Sequence, residues 1–492
     1  LTLKKSDVRT FWRMLLPALL VLTLGASVVW MMGLNYSIGW QLVMMATSGT
    51  ALFLAWWVLP WKSIESSYLS IAALALLTSA VYRLLSIGDL LFNGERVSQW
   101  PFLTTDPAYY TFKGEYVSLI GLLMVVGAWV LAGGRRYVLD LKQVRTHNNY
   151  FRLYLLTYLA SLAGLLGMAM EPGLMRSFGQ LNPTLTSLGA AASFMLAYFT
   201  YVSRIQRVLL CAAMGLPFLF NSLGIGMKAE IIIAMLPTGI LIWLLYGDWR
   251  SRIVFVLTGV LLLSLITSYV HYFRSEIWRG DEVLESRVTF LKEYSEAVLA
   301  DGDGLQLGEG ARDFLRRSNI SDARGWAVAI ADEQGLHPNI TFRPLTWIFI
   351  PRVLWPDKPA FNQGQEFTRL LRGPNTTLRT STAAGFFSSM YLGGGWLGVA
   401  LTSIIVGLMI RTLFALADRI GGQPLIALLT FSLIPYALKL EETSLLGGLS
   451  GPIISFLYVT ILFFTVRIFS KRSPLAVHNP RLVSYYRKPG SF

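Results

Sequence analysis

The amino-acid sequence predicts an all-α polytopic membrane protein with about twelve transmembrane helices, both termini inside, and one large external loop carrying short helices. Three observations predict it. Hydrophobic residues fill 54% of the 492 positions and charged ones only 14%, with mean hydropathy +0.53, a balance outside the soluble range. Apolar runs long enough to cross a bilayer recur along most of the chain. Lys and Arg gather beside alternate loops, as the positive-inside rule requires.

The runs fall at 11–33, 39–60, 66–87, 116–134, 151–170, 184–203, 207–225, 229–247, 252–273, 386–410, 423–440 and 446–468. The third carries Arg83, and the seventh and eighth meet at Met227-Lys228. With the N-terminus inside, 22 basic residues, from Lys4 and Lys5 to Arg487 and Lys488, border the inner loops and ends. Only six lie beside the short outer loops: Arg83, Arg96, Lys113, Arg176, Lys228 and Lys439. The other 14 basic residues lie between 274 and 385 with 15 acidic ones, so that loop is near neutral. The chain thus divides into nine spans over 1–273, the external loop over 274–385, three spans over 386–468 and a basic inner tail over 469–492. The net charge of +14 is a topology signal with some attraction to anionic lipid. Nucleic-acid binding is excluded, because no recognition fold or basic-aromatic platform accompanies the charge. A lone Cys211 excludes a disulfide framework and a thiolate metal site.

Within the loop, Leu284, Val288, Leu291 and Val298 recur at helical spacing and predict an amphipathic helix over 276–299. A Gly-punctuated turn follows at 301–310; its Asp301-x-Asp303 opening lacks the further ligands of a calcium loop, so no metal is expected. A short helix over 321–334 is predicted, with Ser321 as cap and Gly335 as stop. Then comes Arg343 to Pro359, RPLTWIFIPRVLWPDKP, whose four prolines exclude a straight spanning helix.

Charges beside apolar helices at the external face are the candidate chemistry, since burying them is costly without a partner. Lys228 and Glu230 open the eighth helix, where a phosphate would suit the helix N-terminus; a Lys-Glu turn at the headgroups is the bland alternative. His271 and Arg274 end the ninth span, His271 as a proton acceptor or a structural histidine. In the proline-rich segment Arg343, Arg352 and Lys358 stand near Trp347 and Trp355, followed by Arg369, Arg372 and Arg379. Arginine forks match phosphate oxygens and Trp faces stack on sugars. Asp357 and Glu366 are the local carboxylates, and either is a base for a hydroxyl or a partner of Arg352 or Lys358.

With these residues the chain resembles the Wzy-type oligosaccharide repeat-unit polymerases, which build O-antigen, exopolysaccharide or enterobacterial common antigen. The resemblance rests on Gly226-Met-Lys-Ala-Glu-Ile-Ile-Ile233, on Ile348 to Pro359 with its WPDKP ending, and on Ser381 to Gly385 leading to Tyr391-Leu-Gly-Gly-Gly395. Lys228 stands where the family carries an arginine. The Arg-x10-Gly spacing of such loops is met by Arg324 and Gly335, a match that 43 glycines make frequent by chance.

The resemblance implies a GT-C-like, metal-independent and cofactor-free glycosyltransferase of the bacterial inner membrane with its active site facing the periplasm. It would transfer the growing glycan from undecaprenyl pyrophosphate to the non-reducing end of a new lipid-linked unit. Its partners would be undecaprenyl-pyrophosphate-linked glycans, membrane lipids and a chain-length regulator. Lys228, Arg274, Arg343, Arg352, Lys358, Arg372 and Arg379 would then bind pyrophosphate or glycan with Trp355, and Asp357, His271 or His337 would activate the acceptor. The rivals are an O-antigen-type ligase using His337 and a lipid-oligosaccharide flippase or transporter, which would hold its charges near the bilayer midplane.

Overall fold

The computed structural model describes residues 5–32, 38–57, 68–93, 107–137, 139–144, 150–170, 181–225, 228–246, 321–348, 361–373, 382–438 and 445–471, with single positions between them. The helices before the loop are α1 (Lys5–Met32), α2 (Ile38–Trp57), α3 (Ile71–Asn93), α4 (Pro107–Leu131), α5 (Tyr150–Met170), α6 (Leu181–Phe199), α7 (Arg204–Ile225) and α8 (Lys228–Leu245). After them come α9 (Ser321–Glu333), α10 (Gln363–Arg372), α11 (Phe386–Leu438) and α12 (Leu445–Lys471). The extended structure among the described residues is one antiparallel pairing of Tyr68–Leu69 with Leu139–Asp140, which ties the approach to α3 to the chain after α4.

Long apolar segments of α1, α3, α4, α7, α11 and α12 meet the length and composition of a membrane span; those of α5, α6 and α8 are shorter. This fits an all-α membrane protein. Leu16, Leu20, Leu24, Leu397, Ile405 and Ile461 stand exposed on the outside of the bundle. In water such a surface would drive association, whereas in hydrocarbon it is the favourable solvent contact.

Packing is centred on α4, the most buried of the long spans, whose largest helix partner is α11. Small residues set the close approach. A side chain at Gly407 would run into the Val125 carbonyl of α4, and one at Gly121 into the Phe387 ring. In lipid, where the hydrophobic effect does not hold helices together, such backbone contact does.

Three element boundaries differ from the sequence expectation. α4 starts at Pro107, more than two turns before the expected 116, because Glu115 is buried in an ion pair and Lys113 is paired with Asp332 at a partly open edge, so neither charge ends the helix. α3 continues to Asn93, which puts Arg83 in its interior. The segment expected at 386–410 runs on to Gly422, where a non-helical break separates it from the segment expected at 423–440, and a further break lies within it at Gly394–Gly395; α11 denotes both segments.

The helix expected over 321–334 is present as α9, stopped at Gly335 with φ +95°. It buries Ala327, Val328, Ala329 and Ile330 against α4 and α11. Single helical turns follow at Pro338–Thr341 and Leu345–Ile348. Asn362 caps α10 by accepting from the amides of Gly364 and Gln365. The helix expected over 276–299 and the turn over 301–310 lie outside the described residues.

Candidate functional site

The triplet Lys113-Gly114-Glu115, in the second turn of α4, organises the most polar part of the described structure. Glu115 is 1% exposed, and its Oε1 accepts from Nη1 of Arg324 on α9. Its Oε2 lies 3.2 Å from Nη2 of Arg83 on α3, an ion pair whose angles fall short of a hydrogen bond. Arg83 also donates from Nη2 to Ser118 Oγ at 3.1 Å and from Nη1 to the Ser79 carbonyl at 3.2 Å. Arg83 and Arg324 are 1% and 3% exposed, so the carboxylate and its two guanidinium partners are removed from solvent together. Each would be strongly destabilising without the others.

On the other side of the triplet, Lys113 Nζ lies 2.5 Å from Oδ2 of Asp332 on α9, and the Tyr391 hydroxyl of α11 donates to Oδ1 at 2.8 Å. The ammonium also stands over the Tyr391 ring, 5.1 Å from its centre. This pair is partly open, with Lys113 18% and Asp332 25% exposed. Gly114 makes both sets of contacts possible. A Cβ there would stand 2.8 Å from the carbonyl carbon of Arg324 and the amide nitrogen of Gly325, so α9 lies with its backbone directly on α4.

The Tyr391-Leu-Gly-Gly-Gly395 run supports the same corner. Tyr391 holds Asp332, and the Leu392 carbonyl accepts from the His337 amide at 2.8 Å. Gly393 leaves room for Thr341 and Phe342, while Thr341 Oγ1 donates to the Ser389 carbonyl at 3.1 Å. Gly395, at φ +59° and ψ −153°, breaks α11 in a region that glycine alone occupies readily. His337 is only partly exposed, yet its Nε2 is buried with no hydrogen-bond partner among the described residues. Burial pulls the imidazole below its ordinary value of 6.5, so the ring is neutral near pH 7.

Of the residues expected from sequence, His337 is brought to this corner. Arg343, Arg372 and Asp357 are exposed, and Trp355 is 39% exposed. Arg372 occupies the last turn of α10, where neighbouring Arg369 pairs with Glu366. Lys228 opens α8, but its side chain lies outside the described residues, as do His271, Arg274, Arg352, Lys358 and Arg379. The sequence reading gave no role to Glu115 or Asp332, counted Lys113 only as an outer cation and met Tyr391 only within the Tyr391–Gly395 run. The charges among them carry no local signal beyond their place in or beside a helix, and a topology count treats them as loop residues. Among the described residues no three His, Cys, Asp or Glu side chains are grouped to hold a metal ion.

Chemically, this corner joins cations paired with carboxylates to a neutral imidazole able to accept a proton. Apolar spanning helices with a buried ion cluster joining α3, α4 and α9 define an all-α membrane protein with a polar site within its helix bundle. More particularly, residues 77–439 match the family described as a domain of unknown function, DUF8712, and the chain belongs to it. The match runs from α3 to the end of α11 and so contains Arg83, Glu115, Arg324, Asp332, His337 and Tyr391. No curated protein and no solved structure matched the chain.

Proposed function

We propose that the protein is a Wzy-type polymerase, a metal-independent GT-C-like glycosyltransferase of the bacterial inner membrane with about twelve spans and both termini inside. At the periplasmic face it transfers a growing glycan from undecaprenyl pyrophosphate to the non-reducing end of a new lipid-linked repeat unit. The observation that carries the reading is the buried Nε2 of His337, without a hydrogen-bond partner among the described residues, on a residue whose amide is held by the Leu392 carbonyl next to the Tyr391 that holds Asp332. In this reaction the acceptor hydroxyl attacks the anomeric carbon while its proton passes to His337 Nε2. The anomeric C–O bond to pyrophosphate breaks, and undecaprenyl pyrophosphate leaves with the electron pair. Arg343, Arg352, Lys358, Lys228, Arg274, Arg372 and Arg379 neutralise that leaving group, and Trp355 stacks on a sugar. Asp357 and His271 are the alternative proton acceptors.

A second reading, transport of the same lipid-linked glycan, is favoured by one observation, the position of Arg83 near the middle of α3. Purified protein in liposomes with a synthetic undecaprenyl-pyrophosphate-linked repeat unit separates the two. Polymerisation yields a glycan ladder and free undecaprenyl pyrophosphate, and His337→Ala abolishes both. Transbilayer movement of the lipid without a ladder would instead establish transport, and transfer only onto a different added acceptor would establish a ligase.

A further inference from the structure

A second lipid-facing feature lies away from this corner. An apolar cavity of about 530 Å³ opens between α1, α4 and α11, lined by Phe11, Leu15 and Leu19 from α1, Leu123 and Leu131 from α4, and Leu408 from α11. Its volume falls within the range of small-molecule sites, about 300–1,000 Å³. Phe11, Leu15 and Leu19 recur every four residues and form one stripe along α1. On α11 the stripe of Ile404 and Leu408 continues, one turn further, to Arg411. Arg411 Nε donates to the carbonyl of Ala132, itself a lining residue, at 3.1 Å, and the guanidinium stands 5.5 Å from the centre of the Tyr137 ring. Those contacts hold the guanidinium beside Ala132 at the edge of the cavity, and among the described residues its two Nη groups have no hydrogen-bond partner.

We propose that this cavity binds one anionic phospholipid of the bilayer, an acyl chain along the apolar wall and the phosphate on Arg411. An apolar slot ending in one fixed cation has the charge arrangement of such a lipid, whereas a neutral hydrocarbon would leave the guanidinium uncompensated. The occupant is distinct from the glycan carrier of the proposed reaction. Glu115 and Leu131 of α4 are separated by 16 residues, about 24 Å at 1.5 Å per residue, so the cavity mouth and the ion cluster lie toward opposite ends of the same helix.

The test is native mass spectrometry of the full chain with phosphatidylglycerol or phosphatidylcholine added, the two matched in acyl chains. The expected result is one retained phosphatidylglycerol, bound about fivefold more tightly than phosphatidylcholine, the preference that one cation at a membrane surface supplies. Arg411→Gln should abolish the preference while keeping residual binding of both lipids, Arg411→Lys should retain it, and Leu408→Trp, which fills the slot, should remove both. Equal retention of the two lipids by the unaltered chain would overturn the proposal, as would an undiminished preference in Arg411→Gln. Preferential displacement of phosphatidylglycerol by undecaprenyl phosphate would also overturn it, assigning the cavity to the carrier. The measurement needs no glycan substrate, so its outcome is separate from that of the polymerisation assay.

Discussion

Arg324 and Glu115 are 209 positions apart in the chain, yet they form a buried ion pair that fastens α9 to α4, with Arg83 completing the carboxylate's shell from α3. Removing the shared carboxylate leaves two guanidinium groups in an apolar interior. Glu115→Gln should therefore cost about 3–5 kcal/mol, read as a lower thermal midpoint in detergent. Replacing Arg83, Glu115 and Arg324 together with Met, Leu and Met should recover much of that loss. If the triple variant melts no higher than the single one, the cluster is not the source of the cost.

Gly114 sets how closely α9 can lie on α4. Gly114→Val should push the two backbones apart and cost about 1–3 kcal/mol, as overpacking of a filled interior does. The displacement should be local, so limited proteolysis should reach α9 before the spanning helices are cut. An unchanged cleavage pattern would mean that α9 docks by other contacts.

Lys113 and Asp332 are partly solvated, and their mutual attraction is screened accordingly. Lys113→Gln and Asp332→Asn should each shift stability by under about 1 kcal/mol. Their effect on polymerisation should be much larger, because Asp332 also orients Tyr391, next to the carbonyl that positions His337. Parallel melting curves and ladder assays on the two variants check the separation.

His337 gives the pH dependence a sign. Its folded value lies below the ordinary 6.5, so the unfolded chain takes up a proton first as pH falls. Its contribution to stability is therefore complete above 6.5 and declines as pH drops from there toward the folded value. As the proton acceptor it should also place the acid limb of the rate profile below 6.5, and that limb should vanish in a residual-activity His337→Gln variant. A limb at or above 6.5 would exclude this imidazole as the base.

Gly395 holds a backbone conformation at φ +59° and ψ −153° that other residues enter only at a cost of about 1–3 kcal/mol. Gly395→Ala should straighten or destabilise α11 at the point where Leu392 meets His337, lowering the melting midpoint and the transfer rate together. Gly167, which faces open space within α5, is the control: Gly167→Ala should leave both unchanged or slightly improved.

The apolar runs were legible because the bilayer imposes a length and a composition that a single sequence displays directly. So was α9, which begins at Ser321 and stops before Gly335, both local signals in the sequence. Arg324 was visible only as one end of an Arg-x10-Gly spacing that chance supplies often. What gives it weight is Glu115, and no local pattern connects a residue in the loop with one in the fourth apolar run.

From the sequence by itself came the helical membrane class and the apolar helices of the described residues, because each follows from local composition and spacing. The tertiary structure alone decided that Glu115 and Arg83 are buried as an ion pair inside the bundle and that Lys113 is tied to Asp332 at its partly open edge. A charge at the margin of an apolar run can lie in a loop or be buried with a partner, and only the partner's position in space distinguishes the two.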